Sequence, residues 1–292
     1  MGAEANDSAA GERRLLLVSN FSRDRLVRAS LGEGVTGRLL YQRCREARAQ
    51  NLPSQDCARV LSAPAGNTLS FCVCDGVGSS YKGDFAAAFL AERLVDWLDG
   101  LDAVPDATET FSVRLRTRLA QWAAAAQAEL NAQPIPPDTA VMVREVLEDL
   151  RDQYGSEAVF FAGRLDRATD SSTVRAVFCW MGNVSAYFFT SATEGMYIRP
   201  ADDAVRWSTG RGVRGDPSVR LVSLDGLERL LVHTDGCDAL SEELAFLSDD
   251  ELRERCQAAL AAPVNDDMTM LDIRWAGDTD SPHGLERVSP VG

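Results

Sequence analysis

The chain has almost no lysine and almost no histidine. Lys82 is the one lysine among 30 basic residues, and the two histidines are His233 and His283. So few imidazoles argue against a histidine-rich metal site, and a Ser-His-Asp triad would have to use one of these two. Positive charge is in deficit as well. The net charge is −14 and the sequence pI about 4.6. A surface this acidic repels nucleic acid and anionic membranes, and its natural counterions are cations. Long hydrophobic runs are missing too. Leu15-Leu16-Leu17-Val18 is far too short to span a bilayer. The opening MGAEANDSAAGERR is polar and does not read as a signal peptide. With Asn6 at the sixth position it does not fit the myristoylation pattern either. The expected compartment is the cytoplasm, with no nucleic-acid or membrane partner. Paired cysteine spacing is also lacking. The seven cysteines are odd in number and scattered, and Cys72-Val73-Cys74 has no second pair to complete a zinc site. They read as buried, reduced thiols.

What is present is ordinary globular material. The 292 residues are 45% hydrophobic and 25% charged, enough for one large domain or two small ones. From about residue 36 to 75 the pattern favours strands, with CARVLSA and NTLSFCVC separated by the turn-like APAGN. Asp84 then reads as the N-cap of a helix with Phe85, Phe89, Leu90, Leu94, Trp97 and Leu98 on one stripe, stopping at Gly100. A second helix carries Phe111, Leu115, Leu119, Trp122, Ala126 and Leu130. A third starts near Asp138 and uses Val143, Val146, Leu147 and Leu150. After Gly155 come short runs rich in Val, Phe, Tyr and Leu, which read as a series of strands. Ser248 and Glu251 form a capping-box pattern before a short helix, and MTMLDIRW is the last strand. Helices and strands are segregated, which favours an α+β layered fold over a doubly wound one.

Aspartates stand where apolar strands meet loops. Asp56 precedes CARVLSA, and Asp75 closes LSFCVC before Gly76. Asp235 follows LLVHT before Gly236, and Asp266 and Asp267 precede MTMLDIRW. A single Asp-Gly after a strand is most simply a turn. Several such carboxylates at strand ends of one sheet system are another matter. Clustered without counter-charge they are costly, and a divalent cation relieves that cost. An all-oxygen donor set suits Mg2+ or Mn2+.

These segments resemble the metal-dependent protein phosphatases of the PPM, or type-2C, serine/threonine class in its bacterial form. Ser54-Gln55-Asp56 resembles the first motif of that family, and CDGVGSSYKGDFAA (74–87) its Asp-Gly-x-Gly-Gly motif with the helix that follows. YGSEAVF, MGNVSAYF, LLVHTDG and NDDMTMLDI resemble its later motifs, in family order, over about residues 36 to 275. The resemblance implies a four-layer α-β-β-α sandwich, two antiparallel sheets flanked by helix pairs. It places the phosphatase domain at 31–276, an N-terminal extension at 1–30 and a flexible tail at 277–292. It implies two Mg2+ or Mn2+ ions, with Asp75 bridging them, the Gly76 carbonyl on one, Asp235 and Asp266 completing the other, and Asp56 holding metal-bound water. Asp56, Asp75, Asp235 and Asp266 would then be catalytic. The implied activity is hydrolysis of phosphoserine or phosphothreonine in proteins by a metal-bound water. Its substrate is a phosphoprotein, within a serine/threonine kinase signalling system.

Three departures stand against this. Asn51 occupies the place of a phosphate-clamping Arg, Val77 follows Asp-Gly where some relatives have His, and Asn183 replaces an Asp that holds a third metal. Arg48 or Lys82 would have to bind phosphate instead, each competing with the simpler reading of a solvated surface cation. The departures support a second function, a catalytically weak or inactive phosphatase-like module that binds phosphoproteins or regulates. An unrelated carboxylate-metal hydrolase is disfavoured by the order of the motifs.

Overall fold

The computed structural model describes residues 15–19, 22–168, 173–191, 196–198, 202, 204–240, 243–262 and 265–275. The chain enters through strands β1 (Leu15–Val18), β2 (Arg25–Gly32) and β3 (Val35–Gln42) and a short helix, α1 (Arg45–Ala49). Strands β4 (Cys57–Ser62) and β5 (Thr68–Gly76) follow. Three helices come next: α2 (Gly83–Asp99), α3 (Thr108–Asn131) and α4 (Val141–Gln153). The second half is strand-rich, with β6 (Glu157–Arg167), β7 (Thr173–Met181), β8 (Ser185–Thr190), β9 (Met196–Ile198), β10 (Arg206–Ser208) and β11 (Gly212–Arg214). It closes with β12 (Ser218–Asp225), β13 (Leu227–His233), two 3-10 turns at Asp235–Leu240 and Glu243–Ala245, helix α5 (Asp249–Leu260) and β14 (Met268–Trp275).

The strands form two antiparallel sheets. One runs β1-β4-β5-β6, after which the long β6 pairs with both β7 and β10. Strand β12 joins β7, and β11 joins β10. The other has the order β2-β3-β14-β13-β8-β9. Period-two alternation dictates how they stack. In β5, Leu69, Phe71 and Val73 face the other sheet, where Phe161, Phe178, Phe188, Leu230 and Leu271 join them in one core. The intervening Cys72 and Cys74 face outward into a second core under α2 and α3, with Cys57, Cys179, Leu90, Leu94 and Trp207. Both faces of β5 are therefore covered, which is why it reads as an unbroken apolar run. The expectation of buried, unpaired thiols holds among these, and Cys44 alone of the seven is partly exposed.

Among the described residues, the second sheet's outer face carries one α-helix, α5, and the two 3-10 turns, where a helix pair was expected. The capping box at Ser248 and Glu251 is present. Near the far end of this face the apolar cover gives way to charge. Asp272, fully buried, accepts from Nε and Nη2 of Arg229 (2.6 and 2.7 Å) and from Nε of Arg38 (3.0 Å). Arg38 also donates to the carbonyls of Leu244 and Leu247, and Arg229 to that of Ala245, so the turn region 243–247 is tied to the sheet by these guanidinium groups.

Several local expectations are corrected. Residues 15–18 and 25–30, set apart as an extension, supply strands to both sheets. The tail 277–292 lies outside the described residues. The N-cap of α2 is Lys82 at φ 52°, two residues before Asp84, because Gly83 packs directly on the Gly76 backbone and the helix must start there. Helix α4 begins at Val141, after the proline-rich stretch, and buries none of its residues. Val143 and Val146 are 51% and 56% exposed, and contact with the core is left to Leu147 and Leu150.

Candidate metal centre

The strand alternation that builds the inter-sheet core also aims the acidic residues. Asp75 continues the inward series Leu69, Phe71, Val73, and Asp56 precedes the inward Ala58 and Val60. Thr234 continues Leu230 and Val232 on β13, and Asp267 precedes Leu271 and Ile273 at the same parity on β14. Two strands from each sheet thus deliver polar residues to one end of the gap between the sheets. Contacts across that gap join them. The Thr234 hydroxyl donates to Asp56 Oδ2 at 2.8 Å and accepts from the Thr269 amide at 3.0 Å. Asp267 accepts the amides of Cys44 and Gln55, one on each oxygen, at 2.6 Å each. The Gly76 amide donates to the Gln55 carbonyl at 3.1 Å.

Two glycines are required by close approach. A Cβ at Gly76 would overlap the Gly83 carbonyl and crowd that of Gln55. A Cβ at Gly236 would overlap the Asp267 carbonyl. The Asp75-Gly76 turn therefore lies on loop 51–56 and the start of α2, and the Asp235-Gly236 turn lies on 266–267. Chain segments far apart in sequence are fixed to one rim by main-chain contact.

The electrostatics match such a gathering. Burial raises the Asp75 carboxyl well above its ordinary value, and Asp56, Asp235, Asp266 and Asp267 push it further. Burial likewise raises Asp56, with Asp267 and Asp266 adding to it against the Thr234 hydrogen bond. Asp266 is raised by burial first, with Asp235 and Asp267 contributing. Asp238, beside the rim, is raised to about 6 by burial and Asp235. Among the described residues none of Asp56, Asp75, Asp235 and Asp266 is in an ion pair. Nor do three acidic, His or Cys side chains close on one point as a ligand shell would. An oxygen-only set with uncompensated negative charge fits a hard divalent ion.

The remaining sequence candidates lie elsewhere. Lys82 Nζ donates to Gln133 at 2.9 Å and lies over the Tyr81 ring, and Arg48 pairs with Asp24 at 3.1 Å. His233 is fully buried, with its pKa lowered to about 4 by burial. Asn183 donates Nδ2 to Asp235 Oδ2 at 2.7 Å. That bond, the hydroxyl of Thr234 and the double acceptor role of Asp267 were not foreseen. The Thr-Asp-Gly and Asp-Asp-Met-Thr strings held the hint, since a hydroxyl beside an acid at a strand end is positioned to orient another acid.

A pH dependence follows. Acids raised in the folded chain hold protons that the unfolded chain releases above about pH 4, so stability falls as pH rises from there through the raised values. Asp272 acts with the opposite sign. Burial pushes it up, but Arg229, Arg274 and Arg38 carry it below its ordinary value, so its stabilisation is lost only below about pH 4. In chelator, the melting temperature should drop by at least about 2–4 °C between pH 5 and 8, the shift about 1 kcal/mol produces at this size. Millimolar Mn2+ should flatten the curve. A melting temperature in chelator that does not change with pH would show that the carboxylates are not strained by one another.

No family model matches the chain, and no curated protein matches it. Solved structures do. A bacterial serine phosphatase matches at a TM-score of 0.55 and 13% identity, over 83% of this chain and 98% of that one. The serine/threonine phosphatase Stp1 from Staphylococcus aureus matches at 0.56 and 13% identity, over 85% and 98%. RsbX, solved in complex with magnesium, matches at 0.51 and 13% identity, over 86% and 100%. Two stacked antiparallel sheets with helices outside are thus shared over nearly the full length of each neighbour, and the chain has the fold of the bacterial serine phosphatases.

Proposed function

We propose that the chain is a metal-dependent protein serine/threonine phosphatase, a phosphoric monoester hydrolase acting on phosphoserine or phosphothreonine. What supports this reading is that strand ends from both sheets bring Asp56, Asp75, Asp235 and Asp266 near enough for their charges to interact, with the carboxyls of Asp56, Asp75 and Asp266 raised by burial and by neighbouring acids and no ion pair to any of the four among the described residues. Asp75, the Gly76 carbonyl, Asp235 and Asp266 would hold two Mg2+ or Mn2+ ions, with Asp56 orienting water on the opposite side. When bound, the ions would supply a water of lowered pKa and offset charge on the phosphoryl oxygens. Thr234 occupies Oδ2 of the buried Asp56, so Oδ1 is the oxygen that would orient such a water. Asn183 occupies Oδ2 of Asp235, so that side chain would bind through Oδ1. Asp267, with both oxygens on backbone amides, positions loop 44–55 and stays out of the ligand set. The substrate would be a phosphoprotein made by a serine/threonine kinase, and the site a cytoplasmic one.

The second reading is a phosphatase-like binding module. Asn183 on Asp235 and the engagement of Arg48 by Asp24 favour it, since both subtract from catalytic equipment. One assay separates the two. A phosphothreonine peptide or p-nitrophenyl phosphate is incubated with the full chain in Mn2+, in Mg2+ and in chelator, alongside a Mn2+ titration. Turnover in metal and none in chelator is the expected result. Metal binding without turnover selects the module, and neither binding nor turnover removes both.

A further inference from the structure

On the outer face of the second sheet, a cavity of about 280 Å³ lies where the cover of α5 and the 3-10 turns ends. Arg28, Ser30, Thr36, Arg38, Asp272 and Arg274 line it. Arg274 is seven residues past Asp267 along β14, roughly 23 Å from the carboxylate rim at strand rise. The cross-strand rows explain its charge. Arg28 stands opposite Arg38, and Arg274 opposite Arg229. Like charges directly opposite are unfavourable in a sheet. Four guanidinium groups in this corner share two carboxylates, Asp272 and Asp249. A local surplus of two positive charges is unexpected in a chain of net charge −14.

The surplus falls on the solvent side. Arg38 and Arg229 are nearly fully buried and spend their donors on Asp272, Asp249 and the carbonyls of 244–247. Arg28 and Arg274 are half-exposed; Arg28 gives Nε and Nη2 to Asp249 at 2.7 and 2.8 Å, which leaves Nη1 for a ligand. Arg274 has one protein partner among the described residues, Asp272 at 3.3 Å. Ser30 and Thr36 stand in the same cross-strand row as Arg274; Thr36 adds a neutral hydroxyl, while the Ser30 hydroxyl donates to the Gly32 carbonyl at 3.3 Å. Fixed guanidinium groups with an adjacent hydroxyl suit a tetrahedral oxyanion.

We propose that this pocket is an anion site, distinct from the carboxylate rim, which takes a phosphate-sized oxyanion: free phosphate or the phosphate of a small monoester. The buried Asp272 and the partly exposed Asp249 hold the walls through their ion pairs, and Arg274 and the remaining Nη1 of Arg28 receive the ligand. Nothing in this depends on metal or on turnover.

The test is calorimetric titration of the full chain with inorganic phosphate, and separately with phosphoserine, in chelator at constant ionic strength. Chelator keeps the rim from taking phosphate through a metal. Saturable binding is expected, weakened about tenfold or more by Arg274→Gln and by Arg28→Gln and unchanged by Asp75→Asn. Both arginines are half-exposed, so the variants should melt within a few degrees of the parent, which circular dichroism checks. The tighter of the two ligands identifies the source of the phosphate group. Heats that never saturate, equal binding by the arginine variants, or loss of binding in Asp75→Asn would each overturn the assignment.

Discussion

Asp75→Asn and Asp235→Asn should each lower metal-dependent phosphopeptide hydrolysis by about 10²–10³-fold or more, since a bound ion accounts for several kcal/mol of transition-state stabilisation. The same substitutions carry their own control. Asp75 is held in a place where its charge is penalised by burial and by four neighbouring carboxyls. Asparagine keeps the shape and removes the charge. In chelator the Asp75→Asn variant should therefore melt no lower than the parent, and higher at pH 8. Loss of activity with retained or increased stability is the signature of a ligand rather than of a structural acid. If Asp75→Asn keeps more than a tenth of the activity, the rim is not where the chemistry occurs. Asp267→Asn is the useful contrast. It loses one of two backbone acceptors and should disturb loop 44–55 without removing a ligand.

Asp272→Leu should cost about 3–5 kcal/mol of unfolding free energy, the usual result of removing one partner of a buried ion pair. Three guanidinium groups would lose their shared carboxylate, and two of them, on Arg38 and Arg229, are nearly inaccessible to water. The ties from those arginines to the carbonyls of 244, 245 and 247 would be strained next. Urea denaturation measures the effect, and a change under 1 kcal/mol would mean that water or a rearranged Asp249 takes over. Metal-dependent turnover of the folded fraction should be retained, because Asp272 is five residues along β14 from the rim.

How much of this was legible in the sequence depends on the range of the signal. Asp56, Asp75, Asp235 and Asp266 stood out because each marks the end of an apolar run, and a turn residue beside an acid is a local pattern. The segregation of strands and helices was legible for the same reason, since period-two runs and amphipathic helices are written in neighbouring residues, whereas the two-sheet sandwich came from the resemblance of the motifs. The Arg38–Asp272–Arg229 centre was not. Its members are 43 to 234 positions apart, and each alone looks like a charge on the polar side of a strand. The start of α2 at Lys82 was misplaced because Asp84 satisfies the usual capping preference. What overrides it is the packing of Gly83 on Gly76, a contact between segments. The apolar residues of α4 were assigned to the core by periodicity, yet periodicity does not say whether a partner covers the stripe.

The glycine contacts at Gly76 and Gly236 have an implication for descent. Where backbone lies on backbone, the joint demands a missing side chain at one position and little from its surroundings. Substitutions can then accumulate along the strands, helices and outer loops without moving the acids apart. A chain so joined could exchange most of its other side chains and still keep these strand ends together.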